Sequence, residues 1–221
     1  MKRTEELATP PEAPRDCPLC PRLVAYRLHN QRAEPNWFNG AAASFGDPKA
    51  RLLIVGLAPG RTGANRTGRP FTGDYAGDLL YGTLKKLELA EGEYRADPAD
   101  SFTLKGAMIT NAVRCAPPEN KPTPAEIATC RPFLSARISA LPNLRVMLAL
   151  GSIAHESVLR AYNLKPSVAK FGHGAETPLP SGAVMVSSYH CSRYNTQTRR
   201  LTPEMFETVM ARAKAIAWAK A

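Results

Sequence analysis

The chain has 221 residues, 44% hydrophobic and 22% charged, enough apolar material for a buried core and too much for a disordered polymer. With 29 Lys and Arg against 19 Asp and Glu, the net charge of +10 favours a polyanionic partner such as nucleic acid. No apolar run approaches the roughly 20 residues that span a bilayer, and Met1 to Glu6 lacks the apolar core of a signal peptide, so no membrane and a cytoplasmic location are expected.

In chain order, residues 1–16 contain Pro and Glu without periodicity and are expected to form a flexible tail, with residues 17–221 as one domain. Cys17-Pro18-Leu19-Cys20 is a C-x-x-C pair, and Cys115 and Cys130 lie far downstream. In a chain expected to stay in a reducing compartment, a metal or cluster joining these four cysteines is a sharper expectation than disulfides. Four apolar runs, 52–55, 107–113, 146–150 and 184–186, are short and rich in Val, Ile, Leu and Met, as buried strands are.

Helical patterns separate and follow them. One follows Asp74, with Leu79, Leu80, Leu84 and Leu87 on one face. A second starts with Thr123 as N-cap, Pro124 in the first turn and Glu126 closing a capping box, and carries the stripe Ile127, Cys130, Leu134, Ile138, Leu141. A third should begin after Gly151 and a fourth after Thr202-Pro203. This alternation predicts an α/β fold, a three-layer α/β/α sandwich around a central four-stranded, mostly parallel sheet.

Functional groups in such sheets collect at the carboxyl ends of the strands. Those ends read Gly56-Leu57-Ala58-Pro59-Gly60, Thr110-Asn111-Ala112, Gly151-Ser152 and Ser188-Tyr189-His190, so a glycine turn, an amide and an imidazole should share a crevice. The first end opens a loop, GLAPGRTGANRTGRPFTGD, from Gly56 to Asp74. Its glycines allow close backbone approach to a ligand, but it has neither a Walker lysine nor dinucleotide-type glycine spacing.

That loop resembles the first motif of the uracil-DNA glycosylase superfamily in its iron–sulfur branch, nearest the type B or family 5 enzymes. Ile109 to Pro118 (ITNAVRCAPP), Thr123 to Leu134, and the run SSYHCSRYNTQTRRLTPEM around His190 are similar to three further motifs, so the resemblance covers about Cys17 to Phe206. It implies a DNA base-excision repair glycosylase that hydrolyses uracil, and other deaminated bases such as hypoxanthine, from DNA as a monomer. It also implies that Cys17, Cys20, Cys115 and Cys130 ligate a [4Fe-4S] cluster, although four thiolates by themselves suit zinc as well.

The resemblance further assigns roles. His190 would stabilise the departing base, Asn111 would read its edge and take a catalytic part in positioning water, and Phe71 would stack on the base. Gly56, Leu57 and Ala58 would shape the pocket. Ala58 occupies the place where other superfamily members carry a water-activating carboxylate, and the resemblance moves that role to Asp74, whose position also suits a helix N-cap. DNA contacts are expected from Arg61, Arg66 and Arg69, and from Ser192, Arg193, Tyr194, Asn195, Arg199 and Arg200. His29, His155 and His173 are expected to be structural. Two departures stand out: Cys191 replaces the proline of the usual His-Pro-Ser, and Gly60-Arg61-Thr62 replaces small residues and a histidine. A uracil-DNA-crosslinking relative and a non-catalytic iron–sulfur DNA-binding protein are the alternatives.

Overall fold

The computed structural model describes residues 10–219. In chain order the elements are α1 (Pro21–Ala33), β1 (Phe45–Gly46), β2 (Leu52–Gly56), α2 (Ala64–Thr67), α3 (Tyr75–Lys86), β3 (Ala90–Glu91), β4 (Thr103–Leu104), β5 (Ala107–Asn111), α4 (Pro124–Ser139), β6 (Val146–Leu150), α5 (Ser152–Ala161), β7 (Glu176–Pro178), β8 (Val184–Ser188), α6 (Arg193–Gln197) and α7 (Pro203–Ala217).

The four expected strands are the parallel centre of the sheet, in the order β5-β2-β6-β8. The sheet has six strands rather than four, because β1 and β7 add antiparallel edges. Both edge strands are short and only partly buried, so neither carries the apolar run that marks the central strands. β3 and β4 form a separate two-stranded ribbon.

Side chains alternate across β2. Leu52 and Ile54 pack with Leu80 and Leu84 of α3 and Phe206 and Met210 of α7. Leu53 and Val55 pack on the opposite face with Leu134 and Ile138 of α4 and Val158 and Leu159 of α5. Thr123 and Glu126 form the expected capping box at the start of α4. Helix α1 escapes sequence reading because its apolar face is narrow: Leu23 is buried with Arg27 and Asn30 rather than with other aliphatics.

The expected tail does not hold for its inner part. Glu12 pairs with Arg114 and Arg137, Arg114 also donates to the Pro11 carbonyl, and Ala13 is buried. One carboxylate facing two largely buried guanidiniums fixes this segment. Residues 1–9 of the expected tail lie outside the described residues.

Candidate active site

The chain runs from β2 outward to β5 on one side and to β6 and β8 on the other, which opens a crevice at the strand carboxyl ends. Gly56 and Asn111 are register partners on β2 and β5, so the amide emerges directly beside the glycine turn. A Cβ at Gly56 would run into Asn111 Oδ1 and stand 2.6 Å from Phe71 Cζ. Glycine here is what lets the amide and the ring converge.

Phe71 holds a left-handed backbone, φ +54°, which is strained for a bulky residue. Its ring lies 5.9 Å from the His190 imidazole, centroid to centroid, with the planes 25° apart. Together with Leu57, Ala58, Asp74, Asn111 and Asn120 these groups line a cleft of about 660 Å³. Gly56 lies beneath the wall it makes possible.

Three polar groups give the cleft its chemistry. Asn111 is buried, and its Oδ1 has no hydrogen-bond partner among the described residues. His190 is held neutral: burial lowers its pKa to about 4. Asp74 uses its two oxygens differently. Oδ1 accepts from the Gly77 N–H at 3.0 Å as the N-cap of α3, while Oδ2 faces the glycine turn, 3.3 Å from where a Cβ on Gly60 would stand. Burial raises the Asp74 pKa, opposed by the backbone N–H groups of Gly77 and Ala76.

Sequence reasoning missed Asn120. Its Oδ1 lies 4.0 Å from the same Gly60 point, so it shares a corner of the cleft with Asp74. The available signal was weak: a polar turn between prolines, where Glu119 and Asn120 both take positive φ.

The predicted DNA-contacting residues divide. Ser192 and Arg193 line the cleft mouth, and Tyr194 projects from it with 71% of its surface exposed. Ser192 caps α6, and Asn195 Nδ2 donates to the His190 carbonyl at 2.8 Å, so Asn195 holds the loop. Arg66, Arg199 and Arg200 are exposed, Arg200 lying over the Tyr189 ring. Arg61 turns away from the cleft, donating to Asn30 Oδ1 at 3.0 Å and lying over Trp37. Arg69 does not face DNA as expected. It is buried in a two-point pair with Asp100 and is no surface cation. His155 is hydrogen-bonded to Ser187 and the Ala169 carbonyl, and His173 accepts from the Tyr189 N–H.

Behind Ala58 a separate apolar pocket gathers Cys17, Cys20, Cys115 and Cys130 with Ala13, Leu23 and Phe133. All four thiols are free. Burial raises the pKa of Cys115 to about 12 and of Cys130 to about 11, and the Arg114 N–H donates to Cys130 Sγ at 3.3 Å. Arg22 bridges to Glu126 through two 2.8 Å bonds, tying α1 to α4 across this pocket. Among the described residues no three His, Cys, Asp or Glu side chains converge tightly enough for a single metal ion.

Comparison with known proteins agrees with this architecture. Residues 43–214 match the Uracil DNA glycosylase superfamily. The chain is 49% identical over 207 residues to a type-5 uracil-DNA glycosylase of Thermus thermophilus, covering 91% of this chain and 94% of the relative. It is 41% identical over 213 residues to a type-5 uracil-DNA glycosylase of Mycobacterium bovis, covering 91% and 78%. A type-4 uracil-DNA glycosylase of Pyrobaculum aerophilum is 32% identical over 146 residues, covering 66% and 60%. The chain therefore belongs to the uracil DNA glycosylase superfamily, among the type-5 members.

Proposed function

We propose that this protein hydrolyses the N-glycosidic bond of uracil, and of other deaminated bases such as hypoxanthine, in DNA, leaving an abasic site. The observation that carries this reading is Asn111, which lines a cleft walled by Phe71 and His190 and whose buried Oδ1 has no hydrogen-bond partner among the described residues. A buried acceptor without a partner is costly unless a ligand supplies the donor. Deamination creates that donor: the ring nitrogen beside the new carbonyl gains an N–H in both uracil and hypoxanthine, where cytosine and adenine offer a lone pair. The type-5 relatives support the same reading by name.

The nucleotide is extruded into the cleft at a cost of a few kcal/mol, less at a mispair. Its base stacks on Phe71, a contact worth about 1–3 kcal/mol. Asn111 accepts from the imide N–H. The neutral His190 imidazole donates to the base carbonyl, where negative charge grows as the glycosidic electron pair leaves with the base. One such donor is worth about 3–4 kcal/mol. The Asp74 carboxylate, with Asn120 beside it, faces the electron-poor sugar and orients the water that attacks C1′. No lysine lines the cleft among the described residues, in keeping with hydrolysis rather than a covalent amine intermediate. Ser192 and Arg193 at the cleft mouth, with the exposed Tyr194, Arg66 and Arg199, would meet the DNA backbone around the extruded nucleotide. On this reading the protein works as a monomer on chromosomal DNA in the cytoplasm.

The four cysteines fit a [4Fe-4S] cluster. The four thiols line one apolar pocket without converging on a single ion, and a backbone N–H is directed at one sulfur, so they would suit a body that takes one thiolate from each. The cluster would fasten the 17–20 segment to β5 and α4. Purified protein is expected to hold iron and acid-labile sulfide in equal amounts, without zinc. Cys115→Ser should lose the iron and expose residues 11–34 to proteolysis, whereas full zinc occupancy would refute the cluster.

The activity is tested by incubating iron-replete protein with duplexes carrying one uracil or one hypoxanthine and counting abasic sites. Release of both bases is expected. A band shifted on a denaturing gel would instead identify a crosslinking relative, and intact substrate in every case would leave only DNA binding. Gly56→Ala is expected to reduce release by roughly 100-fold, since it drives Asn111 and Phe71 apart while adding only one methyl group. Wild-type rates in that variant would contradict the geometry.

A further inference from the structure

Arg69 lies only five residues along the chain before the helix cap Asp74, yet its side chain points into the protein, with 5% of its surface exposed. Its Nη1 and Nη2 donate to the two oxygens of Asp100 at 2.7 and 2.8 Å, and Nε donates to Thr72 Oγ1 at 2.7 Å. The guanidinium carbon stands 5.1, 5.5 and 5.6 Å from the ring centroids of Phe45, Tyr81 and Tyr94. Asp100 is fixed in turn by the N–H groups of Arg95 and Phe102. None of these groups except the turn they hold reaches the cleft.

What they hold is the backbone on both sides of Phe71. Tyr81 donates to the Pro70 carbonyl at 2.6 Å, Thr67 donates to the Thr72 carbonyl at 3.1 Å, and the Tyr94 hydroxyl lies 3.4 Å from the Phe71 carbonyl. Gly77 leaves room for that carbonyl, since a Cβ there would collide with it. Phe71 sits between these anchors at φ +54°, a conformation that persists only where the surroundings enforce it.

We propose that Arg69 is a positioning residue of the base pocket: pinned by Asp100 and boxed by three aromatic rings, it holds Thr72 and so keeps Phe71 in its strained backbone with its ring against Gly56. The inference rests on Phe71 being the wall on which the base stacks. It gives the 92–102 loop, none of whose residues lines the cleft, a part in base recognition.

The test is a double-mutant cycle on the iron-replete protein. Arg69→Lys keeps a cation for Asp100 but loses the planar two-point pairing and the Nε donor; Thr72→Val removes the Thr72 hydroxyl that accepts from Arg69 Nε, together with its own 3.3 Å bond to the Pro70 carbonyl, leaves the Arg69–Asp100 pair in place and guards against misfolding of the first variant. Each is made alone and with Phe71→Ala, reading the single-turnover rate on uracil-DNA and inhibition by free uracil. Each single variant is expected to slow excision roughly tenfold and to weaken free-uracil inhibition by a similar factor, and to do almost nothing further once Phe71 is gone. A folded variant whose loss is the same with and without Phe71, or whose free-uracil inhibition is unchanged, overturns the proposal. Phe71→Ala with wild-type rates would overturn the stacking reading itself.

Discussion

His190→Ala is expected to slow single-turnover uracil release by about 100- to 1,000-fold, with little change in binding of abasic DNA. The imidazole is half-buried and neutral, so it acts as a preorganised dipole whose value appears only as charge develops on the base. Its pKa of about 4 sets two pH consequences. Between pH 4 and the ordinary 6.5 the unfolded chain binds a proton at this histidine that the folded one refuses, so stability falls as the pH falls through that window. His190→Ala should lose less stability across the same range. Above about pH 5 the wild-type rate should show no inflection from His190. A histidine-like step near 6.5 that vanishes in the variant would show a charged imidazole at work.

Asp74→Asn should cost about 100-fold in rate while leaving α3 capped, because the asparagine carbonyl can still accept from Gly77. The sign of its stability effect separates the two roles of the residue. Burial raises the Asp74 pKa above the usual 3.8, so its ionised form costs the fold something at neutral pH. Between 3.8 and that raised value the folded state binds more protons than the unfolded one, and stability rises as pH falls through the window. At neutral pH the Asn variant is therefore expected to melt no lower than wild type, and the acid limb of the rate profile, which lies above 3.8, should disappear. A variant of full activity would make Asp74 a cap alone.

Much of this site could be read from the sequence, for definite reasons. Central parallel strands are buried on both faces, so each announces itself as an aliphatic run, and the residues at their ends are then placed by topology alone. Asn111 and His190 were found in this way. The capping box at Thr123 and Glu126 is equally local, since both partners lie within one turn. Arg69 was misread because a guanidinium in a glycine-rich loop looks the same whether it meets a phosphate or a carboxylate, and Asp100, 31 residues later, supplied no local sign. Arg61 misled for the same reason, being turned toward Asn30 on a helix whose narrow apolar face concealed it. The edge strands were hidden by brevity. Asn120 depends on a turn with two successive positive φ values, a feature set by what surrounds it rather than by its own residue type.

A crystal structure of Asp74→Asn bound to an abasic duplex and free uracil examines the pocket most directly. The base is predicted to lie flat on Phe71, its N–H directed at Asn111 Oδ1 and one carbonyl oxygen at the His190 imidazole. Uracil bound elsewhere, or an amide of Asn111 facing away from it, would contradict the account.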